Sequence, residues 1–292
     1  MTLVVGHATD DIGFLVSDTL LTTEFELKGH EGPVNGQFHA LKIQILNGRV
    51  AVAYAGDVAK SIKTINALQA ALSTDGVANA PKKLHELYRE EVERSGGKTT
   101  DCEFLVLQID QEGKKKLSKV DGERALQVER AYIGDAAEYK KMVALRRPYT
   151  PPMSQQVQQP DGTLATEPLA MSKSEIEFAE VSDAMERLPH QKRGGDLGVI
   201  SGNTVRVVDA RISRELEYLQ SHEAGVSPAE DKGGYSLFAS NSGQRGIAIY
   251  FVAGKLGYLF VAGDAEPCRK EYAETDRDFI EIAKAKYGIT LE

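Results

Sequence analysis

The chain has 292 residues, with 35 Lys and Arg against 43 Asp and Glu for a net charge of −8, and 41% of its residues are hydrophobic. That is enough apolar material for one large domain or two modest ones, so a disordered chain is excluded and a nucleic-acid or anionic-membrane partner is disfavoured. Two cysteines, Cys102 and Cys268, are too few for a disulfide framework or a cysteine metal site, and no apolar run reaches the length of a membrane span, so a cytoplasmic protein is expected.

In chain order, Thr2 to Thr9 and Gly13 to Asp18 alternate as two strands around Asp10 and Asp11, a hairpin. Residues 19 to 41, with Gly29, Gly32, Pro33 and Gly36, read as an excursion. Leu41 to Leu46 and Arg49 to Ala55 flank the Asn47-Gly48 turn signal and predict a second hairpin. Gly56 and Asp57 end it and start a helix in which Val58, Ile62, Ile65, Leu68 and Leu72 recur every three or four residues. A second helix follows from Pro81 to about Arg94. Strands are predicted at Glu103 to Ile109, Lys116 to Val120 and Leu126 to Ile133, then a helix over Ala136 to Arg146. The Pro- and Gln-rich stretch from Pro148 to Leu169 reads as an inserted flexible loop.

A helix near Ser172 to Leu188 precedes strands at Leu197 to Ser201 and Thr204 to Asp209. Beyond Ile212 an extension is expected: a short helix, a Gly- and Ser-containing loop, strands at Gly246 to Val252 and Leu256 to Val261, and a helix over Pro267 to Tyr287. Successive hairpins with helices grouped between them predict an α+β fold of two stacked antiparallel sheets covered by helices.

Thr2 follows the initiator methionine, and removal of Met1 would expose a hydroxyl nucleophile beside an α-amine that titrates near pH ~8, well below lysine. The bland reading is that small residues at position 2 simply permit methionine removal. Asp18 ends the second strand, Lys42 precedes Ile43 at the start of the next hairpin, and Gly56 closes Ala55-Gly56 before the first helix. Taken singly, each is an ordinary strand-end or turn residue.

In that order, however, residues 2 to about 210 resemble the proteasome-type branch of the N-terminal nucleophile hydrolases, with closest local similarity to the peptidase subunit of the bacterial two-component ATP-dependent protease. The spacing from Thr2 to Asp18 matches that family without a gap, whereas Gly29 to Phe38 would be an insertion near the substrate cleft. The resemblance implies a four-layer αββα sandwich over residues 1–211, the insertion at 148–170 included, with 212–292 a C-terminal extension packed on the same domain.

It further implies a threonine peptidase in which Thr2 attacks, Lys42 favours the alkoxide and keeps the amine neutral, Asp18 orients Lys42, and the Gly56 N–H receives the oxyanion. The implied partners are a peptide or unfolded-protein substrate, a homo-oligomeric ring and an ATPase unfoldase. The run Gly195-Asp196-Leu197-Gly198-Val199-Ile200-Ser201 resembles the family's cation loop and would name the carbonyls of Gly195, Gly198 and Ser201 as donors to a structural Na+ or Mg2+, with no cofactor required for the chemistry. Asp135 stands where the family has a serine near the amine; its ordinary reading is a helix cap, since Glu138 follows three residues on. The other readings are an inactive ring-forming scaffold that keeps Met1, and an amidohydrolase acting on a small amide. No His-Glu-x-x-His, Gly-x-Ser-x-Gly or phosphate-loop pattern is present.

Overall fold

A computed structural model describes residues 3–17, 20–26, 33–75, 79–151, 154–158, 163–168, 171–190, 205–209, 215–219, 235–241, 243–252, 254–264 and 268–292. The chain opens with the hairpin β1 (Leu3–Ala8) and β2 (Gly13–Ser17), in the register Val4 opposite Ser17 and Ala8 opposite Gly13. Its turn is closed by Thr9, whose N–H donates to the Ile12 carbonyl at 2.8 Å and whose Oγ1 accepts the Ile12 N–H at 3.2 Å. Every residue of both strands is buried, as expected where both faces of a sheet are covered.

The excursion at 19 to 41 forms a hairpin of its own, β3 (Leu20–Glu26) against β4 (Pro33–His39). The hairpin predicted around Asn47-Gly48 is β5 (Ile43–Asn47) and β6 (Val50–Gly56), with a bulge between Ile45 and Asn47. Helices α1 (Val58–Asp75) and α2 (Ala80–Ser95) follow, then β7 (Cys102–Ile109) and β8 (Lys115–Val120).

The single strand expected over Leu126 to Ile133 is instead two: β9 (Ala125–Val128) pairs with β8, and β10 (Arg130–Gly134) pairs with β1 in the other sheet. Val128, Ala131 and Ile133 all face one core. The odd step from Val128 to Ala131 breaks the period of two, which marks the corner where the chain changes sheets at Glu129.

After α3 (Ala136–Leu145), the stretch expected to be a loop holds a hairpin, β11 (Ser154–Gln158) and β12 (Leu164–Pro168). Among the described residues its largely polar strands pair only with each other, and no apolar alternation announces them. Then come α4 (Lys173–His190), β13 (Val205–Asp209) and β14 (Leu216–Leu219). The latter stands where the extension was expected to begin with a short helix; Leu216 and Tyr218 alternate into the core, a strand period. The remaining elements are β15 (Tyr235–Ser240), β16 (Gly246–Phe251), β17 (Leu256–Val261), β18 (Arg269–Tyr272) and α5 (Asp276–Tyr287). Helix α5 begins later than Pro267 because Thr275 and Asp278 form a reciprocal capping box.

Two five-stranded antiparallel sheets result, ordered β10-β1-β2-β13-β14 and β5-β6-β7-β8-β9. Val4, Leu15 and Ile133 of the first share a core with Ile43, Ala53, Leu105 and Leu117 of the second. The outer face of the second sheet, through Val52, Tyr54, Phe104 and Val106, packs on Ile65, Leu68, Leu84 and Tyr88 of α1 and α2. On the outer face of the first, Leu3, Val5, Phe14 and Val16 pack on Met142, Val181 and Met185 of α3 and α4. Gly6 permits the close approach of the two sheets, since a Cβ there would stand 2.8 Å from the Leu15 side chain and 3.1 Å from those of Leu105 and Leu117.

The four-stranded sheet β15 to β18 carries α5 on one side and contributes Ala239, Ile247, Ile249 and Phe260 to the core between the large sheets. Among the described residues no helix is long and apolar enough to cross a membrane.

Candidate active site

Thr2 and Asp18, the expected nucleophile and its remote carboxylate, lie outside the described residues, as do Gly195, Gly198 and Ser201 of the expected cation loop. The residues that Thr2 and Asp18 are joined to are Leu3, opposite Gly134, and Ser17, opposite Val4. Among the described residues no group of three or more His, Cys, Asp or Glu side chains could hold a metal ion.

Lys42 and Gly56 are brought together. Lys42 is fully buried at the start of β5, and its carbonyl accepts the Tyr54 N–H at 3.1 Å.

Gly56 ends β6 opposite Cys102, with φ +103°, outside the range that L side chains adopt easily; a Cβ there would overlap the Asp101 carbonyl oxygen. The ladder phase sets the direction of its N–H. Asp57 donates to the Asp101 carbonyl at 3.0 Å, and hydrogen-bonded pairs alternate along antiparallel strands. Gly56 and Cys102 are therefore a non-bonded pair, and the Gly56 N–H turns away from β7 toward the side of β5. On that side the Lys42–Tyr54 rung lies at the very start of β5, one step short of Gly56, so the Gly56 N–H points past the end of the strand, where it can donate to an acceptor.

The Gly56 backbone is clamped from behind. Asp57 caps α1, its Oδ1 accepting the Lys60 N–H at 3.0 Å, while Lys60 Nζ binds Asp101 Oδ2 at 2.5 Å. The same carboxylate accepts the Lys98 N–H at 3.0 Å. The Lys60 hydrogen bond holds the Asp101 carboxyl below the usual carboxylate range and raises the Lys60 ammonium in turn. Beneath them the Tyr88 hydroxyl donates toward the Lys98 and Thr99 carbonyls, at 3.3 and 3.2 Å, and accepts the Cys102 N–H at 2.9 Å. Burial pushes the Cys102 thiol up, which favours its protonated form.

Asp135 is the N-cap of α3; its Oδ1 accepts the N–H groups of Ala137 at 2.7 Å and Glu138 at 3.2 Å. The N-cap half of the expected capping box is thus realised, while the Glu138 carboxylate pairs with Lys141 at 2.9 Å. Asp135 directly follows Gly134, so it stands at the same end of the sheet as Leu3.

Glu103 was not singled out from the sequence. It lies opposite Ala55, and its Oε2 accepts the Gly134 N–H at 3.2 Å across the gap between the sheets. The signal available was an acid at the second position of an otherwise apolar strand, Cys-Glu-Phe-Leu-Val-Leu-Gln-Ile. His7 is buried among Glu129, Glu177 and Arg130 at the far end of β1. A cavity of about 210 Å³ lined by Leu72, Ala80 and Lys83 sits at the other end of α1, roughly 20 Å from Gly56 by helical rise. Compared with models of protein families and with curated proteins, the sequence matches none.

Proposed function

We propose that the chain is a threonine peptidase of the proteasome-like N-terminal nucleophile type, its two sheets and four flanking helices forming the αββα sandwich of that class. The observation that carries the reading is the shared ladder of Lys42 and Gly56: a buried lysine one rung from a backbone N–H that leaves the sheet at a glycine-only conformation. The start of β1 is tied to the same place through the Glu103 hydrogen bond to Gly134, which pairs with Leu3.

In this reading the Thr2 hydroxyl attacks a peptide carbonyl and the freed α-amine takes its proton. Lys42 stabilises the developing alkoxide, and the Gly56 N–H donates to the oxyanion. The amine then activates the water that hydrolyses the acyl-enzyme. A homo-oligomeric ring, an ATPase unfoldase, a cytoplasmic setting and a bound structural cation belong to the same proposal.

A second reading is supported by one observation. Where the family has a serine near the amine, the Asp135 carboxylate is taken up by a helix cap, as a catalytically silent scaffold would allow. Intact mass of the protein purified from cells, with and without an epoxyketone that reacts with the hydroxyl and amine of an N-terminal threonine, separates the two. Loss of Met1 and one adduct that disappears in Thr2→Ala is the expected result. A retained Met1 and no adduct leave the scaffold.

A further inference from the structure

The proposed site is split between two sheets. Its nucleophile precedes Leu3 in the sheet of β1 and β10, whereas Lys42 and Gly56 belong to the sheet of β5 to β9. The contact between these sheets is largely apolar, and apolar attraction is non-directional. Attack on a carbonyl needs the reacting atoms at about 3–3.5 Å, and an error of about 1 Å costs on the order of 100-fold in rate. Something directional has to set the spacing at this end.

Two side chains do so. Glu103 Oε2 accepts the Gly134 N–H at 3.2 Å, and Glu103 Oε1 pairs with Lys119 Nζ at 2.7 Å. Lys119 Nζ reaches the Tyr132 carbonyl at 3.4 Å and lies 6.0 Å from the centre of the Tyr132 ring. Glu103 and Lys119, from β7 and β8, thus grip two alternate residues of β10 in the opposite sheet. Gly134, with φ +95°, is where β10 leaves its extended course, and it pairs with Leu3. On the other side Glu103 pairs with Ala55, the residue before Gly56. Glu103 therefore links the two sides, its carboxylate holding Gly134, the partner of the residue after the proposed nucleophile, and its backbone pairing with the residue before the proposed oxyanion donor.

We propose that Glu103, held by Lys119, is a positioning residue that fixes the distance between the start of β1 and Gly56. The inference rests on the threonine-peptidase reading. Glu103 touches no reacting atom in it, and its role is to hold Gly134 and hence Leu3 in place.

The test is steady-state cleavage of a fluorogenic peptide by wild type, Glu103→Ala and Glu103→Gln, with backbone amide exchange at Gly134 measured on the same samples. Lys116→Ala, on the same strand as Lys119, breaks a half-exposed pair with Asp110 and is the control. Glu103→Ala is expected to lower kcat about 10- to 100-fold with KM nearly unchanged and to speed Gly134 exchange. Glu103→Gln, whose amide oxygen can still accept from Gly134, restores much of both. Lys116→Ala changes neither. A Glu103→Ala enzyme with wild-type kcat, or one whose KM and Gly134 exchange move with kcat only as in a generally loosened fold, overturns the proposal. A wild-type protein that neither cleaves peptide nor takes the epoxyketone overturns the peptidase reading itself, and the positioning role with it. Gly134 exchange would then report only on a structural tie.

Discussion

Gly56→Ala separates the geometry of the site from its chemistry. An alanine at φ +103° sits in a region of backbone space that costs a non-glycine residue about 1–3 kcal/mol. Its Cβ would also overlap the Asp101 carbonyl oxygen, a backbone atom that cannot rotate away and that already accepts the Asp57 N–H. Forcing a methyl group into such a place adds roughly 1–3 kcal/mol.

Gly96→Ala is the matched comparison: Gly96 also has positive φ, +65°, but a Cβ there meets nothing within 4 Å. It should cost only about 1 kcal/mol. Urea unfolding of both variants, with the midpoint shift multiplied by the common slope, should place Gly56→Ala some 1–5 kcal/mol below Gly96→Ala. Equal stabilities would refute the claim that this backbone is clamped against β7. In the same preparations, the proposed peptidase function predicts that displacement of the Gly56 N–H lowers peptide cleavage by about 10²–10³ in kcat, the usual effect of losing one oxyanion donor. Gly96→Ala should leave cleavage intact.

Asp135→Ala should destabilise the protein by about 1 kcal/mol through loss of the α3 cap, and Asp135→Asn, which still caps, should recover most of that. Thermal melts decide it, and an Asn variant as unstable as Ala would show that the carboxylate acts otherwise. For His7, burial lowers the imidazole pKa below its ordinary 6.5, opposed by Glu177 and Glu129 and reinforced by Arg130. The folded state therefore binds that proton less readily than the unfolded state. The stability owed to neutral His7 is full above pH 6.5, declines as pH falls through that value, and levels off below the folded pKa. The stability difference between wild type and His7→Gln should shrink from pH 7.5 toward pH 5, on the scale of that titration. A gap that widens toward acid would contradict it.

What was legible in the sequence is what local chemistry writes down. Gly13 and Asn47-Gly48 announced two hairpins, and the three- and four-residue recurrence from Val58 to Leu72 announced α1. Elements whose partners are remote or polar were not legible. Among the described residues the β3–β4 and β11–β12 hairpins pair only within themselves, and β14 pairs with β13 while its Tyr218 reaches β5, donating to the Ile43 carbonyl and accepting the Ile45 N–H, both at 3.1 Å. Within the site, Lys42 and Gly56 could be named from their neighbours in the chain. Glu103 could not, because its meaning depends on Gly134, 31 residues away and in another sheet. The Lys60–Asp101 clamp spans 41 residues for the same reason.

Cys102 sits directly opposite Gly56, its N–H bonded to the Tyr88 hydroxyl and its sulfur 3.5 Å from the Asp57 carbonyl, 1% exposed. A thiol in that place is shielded from reagents until the seam between β6, β7 and α2 parts. The protein therefore carries its own clock for local opening: the rate at which Cys102 becomes alkylated in the folded state reads how often the backbone beside Gly56 comes undone, with no substrate and no engineered probe. Half-buried Cys268, just before β18, offers a second reading from a different part of the molecule.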